Sequence, residues 1–149
     1  QTIQDNLEIF QERLAQNRIT VDTSFAASCP PVFADADQMS QVVINLVMNA
    51  IHAIPNGGHL QIAVSPDKGM VKLTVADTGH GIPQEVFANI FEPFFTTKEF
   101  GKGTGLGLTV VKGIIEEHQG MIAVDSQPGK GTIFTIYLPT STEQAVIRQ

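Results

Sequence analysis

The stretch of sequence that decides the fold lies within a helix predicted over residues 37–54. It reads Asn45-Leu46-Val47-Met48-Asn49-Ala50-Ile51-His52-Ala53. Its apolar residues recur at helical spacing, which predicts that one face of the helix packs in a core. Two asparagines, Asn45 and Asn49, lie one turn apart beside that apolar face, and Gln41 lies one turn before them.

The two asparagines predict a functional face. An asparagine amide competes for backbone hydrogen bonds and is a poor residue inside a helix, so a pair at this spacing needs a reason. The amide oxygen is a neutral, hard ligand suited to Mg²⁺, which uses few protein ligands beside substrate phosphates. A solvated surface position is the simpler alternative, and the stretch taken alone leaves it open.

A second candidate segment directly follows a predicted strand. It reads Asp77-Thr78-Gly79-His80-Gly81-Ile82-Pro83. Its glycines permit close backbone approach and unusual dihedral angles. The ionised Asp77 carboxylate only accepts hydrogen bonds, so it could take the exocyclic amino group of adenine and would repel the carbonyl oxygen of guanine. An aspartate that merely forms a turn is the alternative.

Two further segments lie downstream. The first, Phe91-Glu92-Pro93-Phe94-Phe95-Thr96-Thr97-Lys98, predicts a mobile segment with an aromatic latch, with a plain core cluster as the alternative. The second, Gly101-Lys102-Gly103-Thr104-Gly105-Leu106-Gly107-Leu108, opens a helix expected to end near His118. Glycines at a helix start expose N–H groups to an anion, and two lysines add positive charge nearby. Neither of the commoner glycine-rich phosphate motifs occurs there.

The rest of the chain predicts a single domain. Its 149 residues suit one core, and its net charge of −6 argues against a duplex nucleic-acid binder or a protein of anionic membrane surfaces. One cysteine, Cys29, excludes an internal disulfide framework, and no apolar run is long enough for a membrane helix. Apolar spacing predicts a helix at 2–16, strands around 19–25, 60–64, 71–75, 121–126 and 132–138, an edge strand at 32–34 and a short helix after Pro83.

Taken in order, the four segments resemble the catalytic, ATP-binding domain of sensor histidine kinases, within the superfamily that includes gyrase, MutL and a heat-shock chaperone. Residues 45–53 resemble the family's N box, 77–82 its first Gly box, 91–95 its F box and 101–108 its second Gly box. The resemblance covers about residues 18–139. It implies a two-layer α/β sandwich, in which a mixed, mainly antiparallel sheet of about five strands carries about three helices on one face and a Gly-rich ATP lid.

The resemblance also implies a set of site residues. Asn49 would bind Mg²⁺, with Asn45 near the phosphates, and Asp77 would contact the adenine amino group. The expected catalytic residues are Asn45, Asn49 and Lys98. The other expected nucleotide-binding residues are Ala53, Gly79, Gly81, Ile82, Phe91, Phe95, Thr97, Lys102, Gly103, Thr104, Gly105, Leu106, Gly107, Leu108 and Thr132.

Asn45 bears on the expected reaction. Gyrase-type members carry a glutamate one turn before the metal-binding asparagine, where it acts as a general base for water. A neutral amide cannot take that proton, so we expect slow intrinsic ATP hydrolysis and a phosphotransfer role. The four histidines, His52, His59, His80 and His118, are interpreted as structural or pocket-side residues, because none lies in a preceding helical hairpin.

The resemblance implies partners outside this chain. The γ-phosphoryl group would pass to a histidine on a separate dimerisation domain, and a response regulator receiver domain would follow. Residues 1–17 would be a linker helix from that dimerisation domain, 18–139 the catalytic domain and 140–149 a tail. We expect a monomeric fragment of a homodimeric, cytoplasmic or membrane-anchored kinase, with no nucleic-acid partner and no membrane insertion by this chain.

Two other functions fit the same segments. One is a protein-serine kinase of the anti-sigma type, which shares these boxes. The other is an interaction module that kept the fold and lost the nucleotide, against which the intact boxes argue.

Overall fold

The structure, a computed structural model, describes residues 2–26, 35–54, 57–82 and 107–140. In chain order, the elements are α1 (Thr2–Gln16), β1 (Ile19–Phe25), α2 (Ala36–Ala53), β2 (Gly58–Asp67), β3 (Met70–Asp77), α3 (Gly107–Glu117), β4 (Met121–Gln127) and β5 (Gly131–Pro139). The helices and strands predicted for these ranges are confirmed. The predicted edge strand at 32–34, the short helix after Pro83 and the tail from residue 141 onward lie outside the described residues.

The strands form one five-stranded sheet in the order β1-β2-β3-β5-β4. β1 pairs with β2 in parallel, whereas the other three pairings are antiparallel. The parallel pair is possible because α2 lies between the two strands in the chain and returns the backbone to the same end of the sheet. The prediction of a mixed, mainly antiparallel sheet is confirmed.

The core lies between the sheet and its helices. The most completely buried side chains come from α2, α3 and alternate positions of the strands, among them Val47, Ile115, Leu60 and Ile136, all with 0% exposure. Phe10 and Leu14 of α1 join the same cluster. Full burial of one such aliphatic side chain contributes about 1.5–3 kcal/mol to the free energy of folding. Because burial of its apolar face fixes how α2 is rotated against the sheet, the same packing also orients the asparagines of that helix.

Asp35 begins the helix that carries the asparagines. Its carboxylate oxygen Oδ1 accepts the backbone N–H groups of Asp37 at 2.9 Å and Gln38 at 3.1 Å. These N–H groups have no partner within the helix, so the cap satisfies them. Asp35 is therefore the N-cap of α2. Within the described ranges, no helix combines the length and apolarity needed to cross a bilayer.

Candidate functional site

Three polar residues lie side by side across β3, β5 and β4. Asp77 pairs with Thr132, and Thr132 pairs with Ser126 on its other side. Two residues farther into the sheet, Val75, Phe134 and Val124 form the equivalent row, of which Val75 and Phe134 belong to the core cluster and Val124 packs against it. Because side chains two residues apart share a face, the row formed by Asp77, Thr132 and Ser126, called here the polar row, faces the helices. Thr132 is only 4% exposed.

Asp77 is a partly buried carboxylate with directed partners. Its Oδ1 accepts the N–H of Gly79 at 2.9 Å. Burial raises the pKa of Asp77 above its usual value, against the opposing effects of the Gly79 and Thr132 backbone N–H groups and of nearby His80. Burial disfavours the charged form of a carboxyl group, whereas hydrogen bonds to it favour that form. The result is an acceptor that would gain from a further donor.

The loop after β3 is held on three sides by other parts of the protein. The N–H of His80 donates to the carbonyl oxygen of Ala53, at the end of α2, at 3.0 Å. The carbonyl oxygen of His80 accepts the N–H of Gly129, in the β4–β5 turn, at 2.7 Å. The N–H of Ile82 donates to the Oγ of Ser126 at 2.7 Å. These contacts fix the backbone directly beside Asp77.

Two glycines make that close packing possible. A Cβ atom on Gly79 would overlap the carbonyl group of Ala53. Gly81 has a φ of 76°, and a Cβ atom there would overlap the carbonyl oxygen of Gln127. Only glycine adopts such a φ at little cost. The sequence predicts close backbone approach here, and the structure identifies the approaching groups as Ala53 and Gln127.

The asparagines of α2 lie on the helix side of the site. Asn45 and Asn49 are half-buried, whereas Gln41 is exposed. The Nδ2 of Asn45 donates to the carbonyl oxygen of Gly107, the first residue of α3, at 3.3 Å. This hydrogen bond joins the asparagine face to the helix start that follows the glycine-rich segment. The Nδ2 atom of Asn49 is buried.

The structure describes part of the predicted site. It places Asn45, Asn49 and Ala53 on α2, and Gly107 and Leu108 at the start of α3. Asp77, Gly79, Gly81, Ile82 and Thr132 lie at the polar row or in the loop beside it. The expected residues Phe91, Phe95, Thr97, Lys98, Lys102, Gly103, Thr104, Gly105 and Leu106 lie outside the described residues, as does the predicted mobile segment.

The rings of His118 and His80 make directed contacts. The Nδ1 of His118 lies 2.8 Å from the carbonyl oxygen of Ile114, and its Nε2 accepts the N–H of Asp35 at 3.2 Å. The Nδ1 of His80 lies 2.7 Å from the carbonyl oxygen of Gly81. These contacts fit the interpretation of His118 as structural and of His80 as a residue beside the pocket.

Ser126 belongs to the site but was not predicted. Its hydroxyl group contacts Ile82, Gly131 and Thr132. The available signal was the hairpin register, because two strands joined by a short turn place residues at equal distances from the turn opposite each other. Counting outward from residues 128–130 pairs Ser126 with Thr132.

The comparisons with known proteins agree with one another. Residues 34–142 match the model of a family described as histidine kinase-, DNA gyrase B-, and HSP90-like ATPase. Over 123 residues the chain is 49% identical to sporulation kinase A of Bacillus subtilis (strain 168), which covers 83% of this chain and 20% of that protein. The chain spans between 16% and 31% of the length of curated relatives of this kind.

Solved structures share the fold. The nucleotide-free catalytic domain of the histidine kinase ThkA has a TM-score of 0.84 at 34% identity, covering 96% of this chain and 93% of that one. ThkA in complex with the response regulator protein TrrA has a TM-score of 0.79 at 31% identity, covering 96% of this chain and 40% of that one. The predicted two-layer α/β sandwich is confirmed.

Proposed function

The chain belongs to the histidine kinase-, DNA gyrase B- and HSP90-like ATPase family, and on that premise we propose that it is the ATP-binding catalytic domain of a sensor histidine kinase. Its role is to bind ATP with Mg²⁺ and to supply the γ-phosphoryl group to a histidine on a separate dimerisation domain. The resemblance predicted from the four sequence segments is confirmed at the level of the family.

The observation that carries the proposal is the placement of Asp77 in the polar row. A carboxylate that is partly buried and already accepts a backbone N–H is an oriented acceptor. Adenine offers an amino group to such an acceptor, whereas guanine offers a carbonyl oxygen. Thr132 would form the buried floor of the site beside Asp77. The loop after β3, with Gly79 and Gly81, would bring backbone groups close to the same place.

Mg²⁺ is proposed to bind at Asn49. The donor chemistry fits, because amide oxygens are hard, neutral ligands, and the cation requires few of them beside phosphate oxygens. Asn45 lies one turn away and is turned by its hydrogen bond to the carbonyl oxygen of Gly107. When bound, the cation would neutralise charge on the phosphates, while the two asparagines hold and orient the triphosphate side of the site.

The amide of Asn45 favours phosphoryl transfer over ATP hydrolysis. Asn45 is an amide and cannot remove a proton from water. Positioning and charge neutralisation supply most of the catalysis in phosphoryl transfer. A site without a general base can therefore still transfer the γ-phosphoryl group to a histidine that is brought to it. Lys98 and Lys102 are proposed as phosphate contacts, with Lys98 as a catalytic residue, and the N–H groups of residues 103–107 as an anion site.

The remaining partners follow from the class of protein proposed. ThkA is a histidine kinase seen bound to a response regulator, which supports a receiver domain as the next partner. Residues 1–17 are proposed as the link to the dimerisation domain, residues 18–139 as the catalytic domain and 140–149 as a tail. Since Phe10 and Leu14 of α1 are buried in the common core, that link would be anchored on the catalytic domain. The whole kinase is proposed to be a cytoplasmic or membrane-anchored homodimer, with this fragment monomeric.

Substituting Asp77 by asparagine tests the proposed contact between Asp77 and adenine. The change keeps the shape of the side chain and removes its charge, so ATP affinity measured by calorimetry should fall about 10- to 100-fold, as expected for the loss of a charge-assisted hydrogen bond. Asp22→Asn, on exposed β1, is the matched control and should leave the affinity unchanged. Undiminished binding in the Asp77 variant would refute the adenine contact.

The reaction class is tested with γ-labelled ATP and a histidine-bearing dimerisation domain. Phosphohistidine is labile in acid, whereas phosphoserine is stable, so acid-labile label on the added domain supports the proposal. Acid-stable label would instead indicate the serine kinase.

A further inference from the structure

Ser126 connects three parts of the candidate site through one hydroxyl group. Its Oγ accepts the N–H of Ile82 at 2.7 Å. It also lies 3.1 Å from the carbonyl oxygen of Gly131 and 2.9 Å from the Oγ1 of Thr132. Ser126 is thus the point at which the loop after β3 meets the start of β5.

The proton positions in this cluster follow from counting donors and acceptors. A hydroxyl group has one proton and two lone pairs. The carbonyl oxygen of Gly131 can only accept, so that contact is a hydrogen bond only if Ser126 donates its proton there. Ser126 can then only accept from Thr132. One arrangement therefore satisfies all three contacts, and it commits the hydroxyl proton of Thr132 to Ser126.

We infer that Ser126 is a positioning residue that sets the base specificity of the site by making Thr132 an acceptor. The inference rests on the proposed function, because it concerns the base that Asp77 and Thr132 meet. These two residues are cross-strand partners, and the Cβ atoms of such pairs lie about 4.5–5.5 Å apart, a spacing that lets both side chains meet one ligand group. With the Thr132 proton engaged, the floor of the site presents two acceptors side by side.

Two acceptors discriminate between purines at position 6. Adenine carries an amino group there, with two N–H donors, whereas guanine and hypoxanthine carry a carbonyl oxygen, with lone pairs only. An uncommitted threonine hydroxyl could rotate and donate to that oxygen. Ser126 removes this option, because donation by Thr132 to a ligand would cost the hydrogen bond between the two hydroxyl groups.

The test compares the affinities of the 149-residue chain for ATP and inosine triphosphate. Both lack the 2-amino group of guanine, and inosine triphosphate carries a carbonyl oxygen at position 6 with a proton on the adjacent N1. The wild type should bind ATP more tightly by about 100-fold, and Ser126→Ala should reduce that ratio about tenfold, the size of one hydrogen bond. Ser126→Thr keeps the hydroxyl group and should restore the ratio. Ser24→Ala, on exposed β1, is the control and should leave the ratio at the wild-type value.

A double-mutant cycle with Thr132→Val separates this role from a structural one. In the wild-type background, Thr132→Val removes an acceptor and should lower the ratio. In the Ser126→Ala background, it removes a donor and should raise the ratio. Purine riboside triphosphate, which has no group at position 6, should show neither change. A structural role would weaken all three ligands by the same factor and leave the ratio unchanged, which would overturn the inference.

The outcomes also separate the inference from the proposed function. A folded wild-type chain, verified by circular dichroism, that binds neither nucleotide would refute the proposed function and the inference with it. ATP binding with a ratio unaffected by Ser126→Ala would refute the inference alone. If Ser126→Ala does not fold, Thr132→Val in the wild-type background is the deciding variant. An unchanged ratio of affinities in that variant would show that Thr132 is not the acceptor that the inference requires, and would refute the inference.

Discussion

The two ends of the candidate site are built from different kinds of group. Around the polar row, the loop after β3 is held by hydrogen bonds of 2.7–3.0 Å to the end of α2, to the β4–β5 turn and to Ser126. Where α2 meets α3, the Nδ2 of Asn45 donates to the carbonyl oxygen of Gly107 at 3.3 Å. The first end is completed by protein groups as the chain folds. The second brings amide groups to a helix start, where the proposed phosphates and Mg²⁺ would supply further partners.

On the proposed assignment, recognition of the nucleobase and handling of the phosphates would depend on different groups. Recognition of the nucleobase would use strand register and buried hydrogen bonds, which are formed when the chain folds. Handling of the phosphates would use the side-chain amides of α2, whose oxygens suit a charged ligand. Substitutions at the first end should therefore change stability and affinity together, whereas substitutions at the second should change the reaction and leave the fold intact.

The largest effect is expected from Asn49→Ala. If Asn49 holds the cation, its loss should lower the rate of phosphoryl transfer by about 1,000-fold, since bound metal supplies several kcal/mol of charge stabilisation. The free energy of unfolding, measured in urea, should change far less than the barrier to transfer. Gln41→Ala, two turns earlier and exposed, is the control. An unchanged rate of phosphoryl transfer in the Asn49 variant would refute the metal role of Asn49. A large loss in its free energy of unfolding would contradict the contrast between the two ends.

A smaller effect, on stability, is expected from Gly79→Ala. The added methyl group would overlap the backbone of Ala53, and backbone cannot move aside as a flexible side chain can. We expect a loss of about 2 kcal/mol in the free energy of unfolding, as for other overpacked sites, together with weaker ATP binding.

Gly113→Ala provides the matched control for that substitution. Gly113 lies in α3, is exposed, and has nothing within 4 Å of the position of an added Cβ. Alanine should therefore stabilise the helix by about 0.5–1 kcal/mol. If both variants behaved alike in urea unfolding, the close packing of the loop against α2 would not be what holds the first end together.

The smallest effect is expected from pH. Since burial raises the pKa of Asp77 above 3.8, the carboxyl group binds a proton more readily in the folded state than in the unfolded state. Its favourable contribution is complete below pH 3.8 and is lost as the pH rises through the raised value. The wild type should therefore lose stability relative to Asp77→Asn across that interval. If the difference in free energy of unfolding between the wild type and Asp77→Asn stays constant from pH 3 to pH 7, burial does not raise the pKa of this carboxyl group.

Local patterns predicted most of the fold. Apolar spacing at 3.6 and at 2 residues identifies the helices and strands, because each element must bury one face. The cap at Asp35 and the end of α3 before Gly120 are also local, since capping involves residues within a turn of each other. The order of the strands was not predicted, and the mixed, mainly antiparallel character of the sheet came only through the resemblance to a family.

The site was predicted in part. Asn45, Asn49 and Asp77 stand out because their residue types are unexpected in their local settings. Ser126 does not, because a serine near the end of a strand is ordinary until its neighbours across the sheet are known. Likewise, the sequence explains why Gly79 and Gly81 allow close approach, but not that Ala53 and Gln127 are the groups that approach.

By itself, the sequence determined the elements, the asparagine face of α2 and the family to which the chain belongs. These follow from residue types and short spacings, which act over one or two turns. Only the tertiary structure decided that Asp77 joins Thr132 and Ser126 in one row and that Asn45 meets Gly107. The contacts of Asp77 with Thr132 and of Asn45 with Gly107 join residues 55 and 62 positions apart, and the sheet register and the packing of α2 against α3, not any local preference, bring them together.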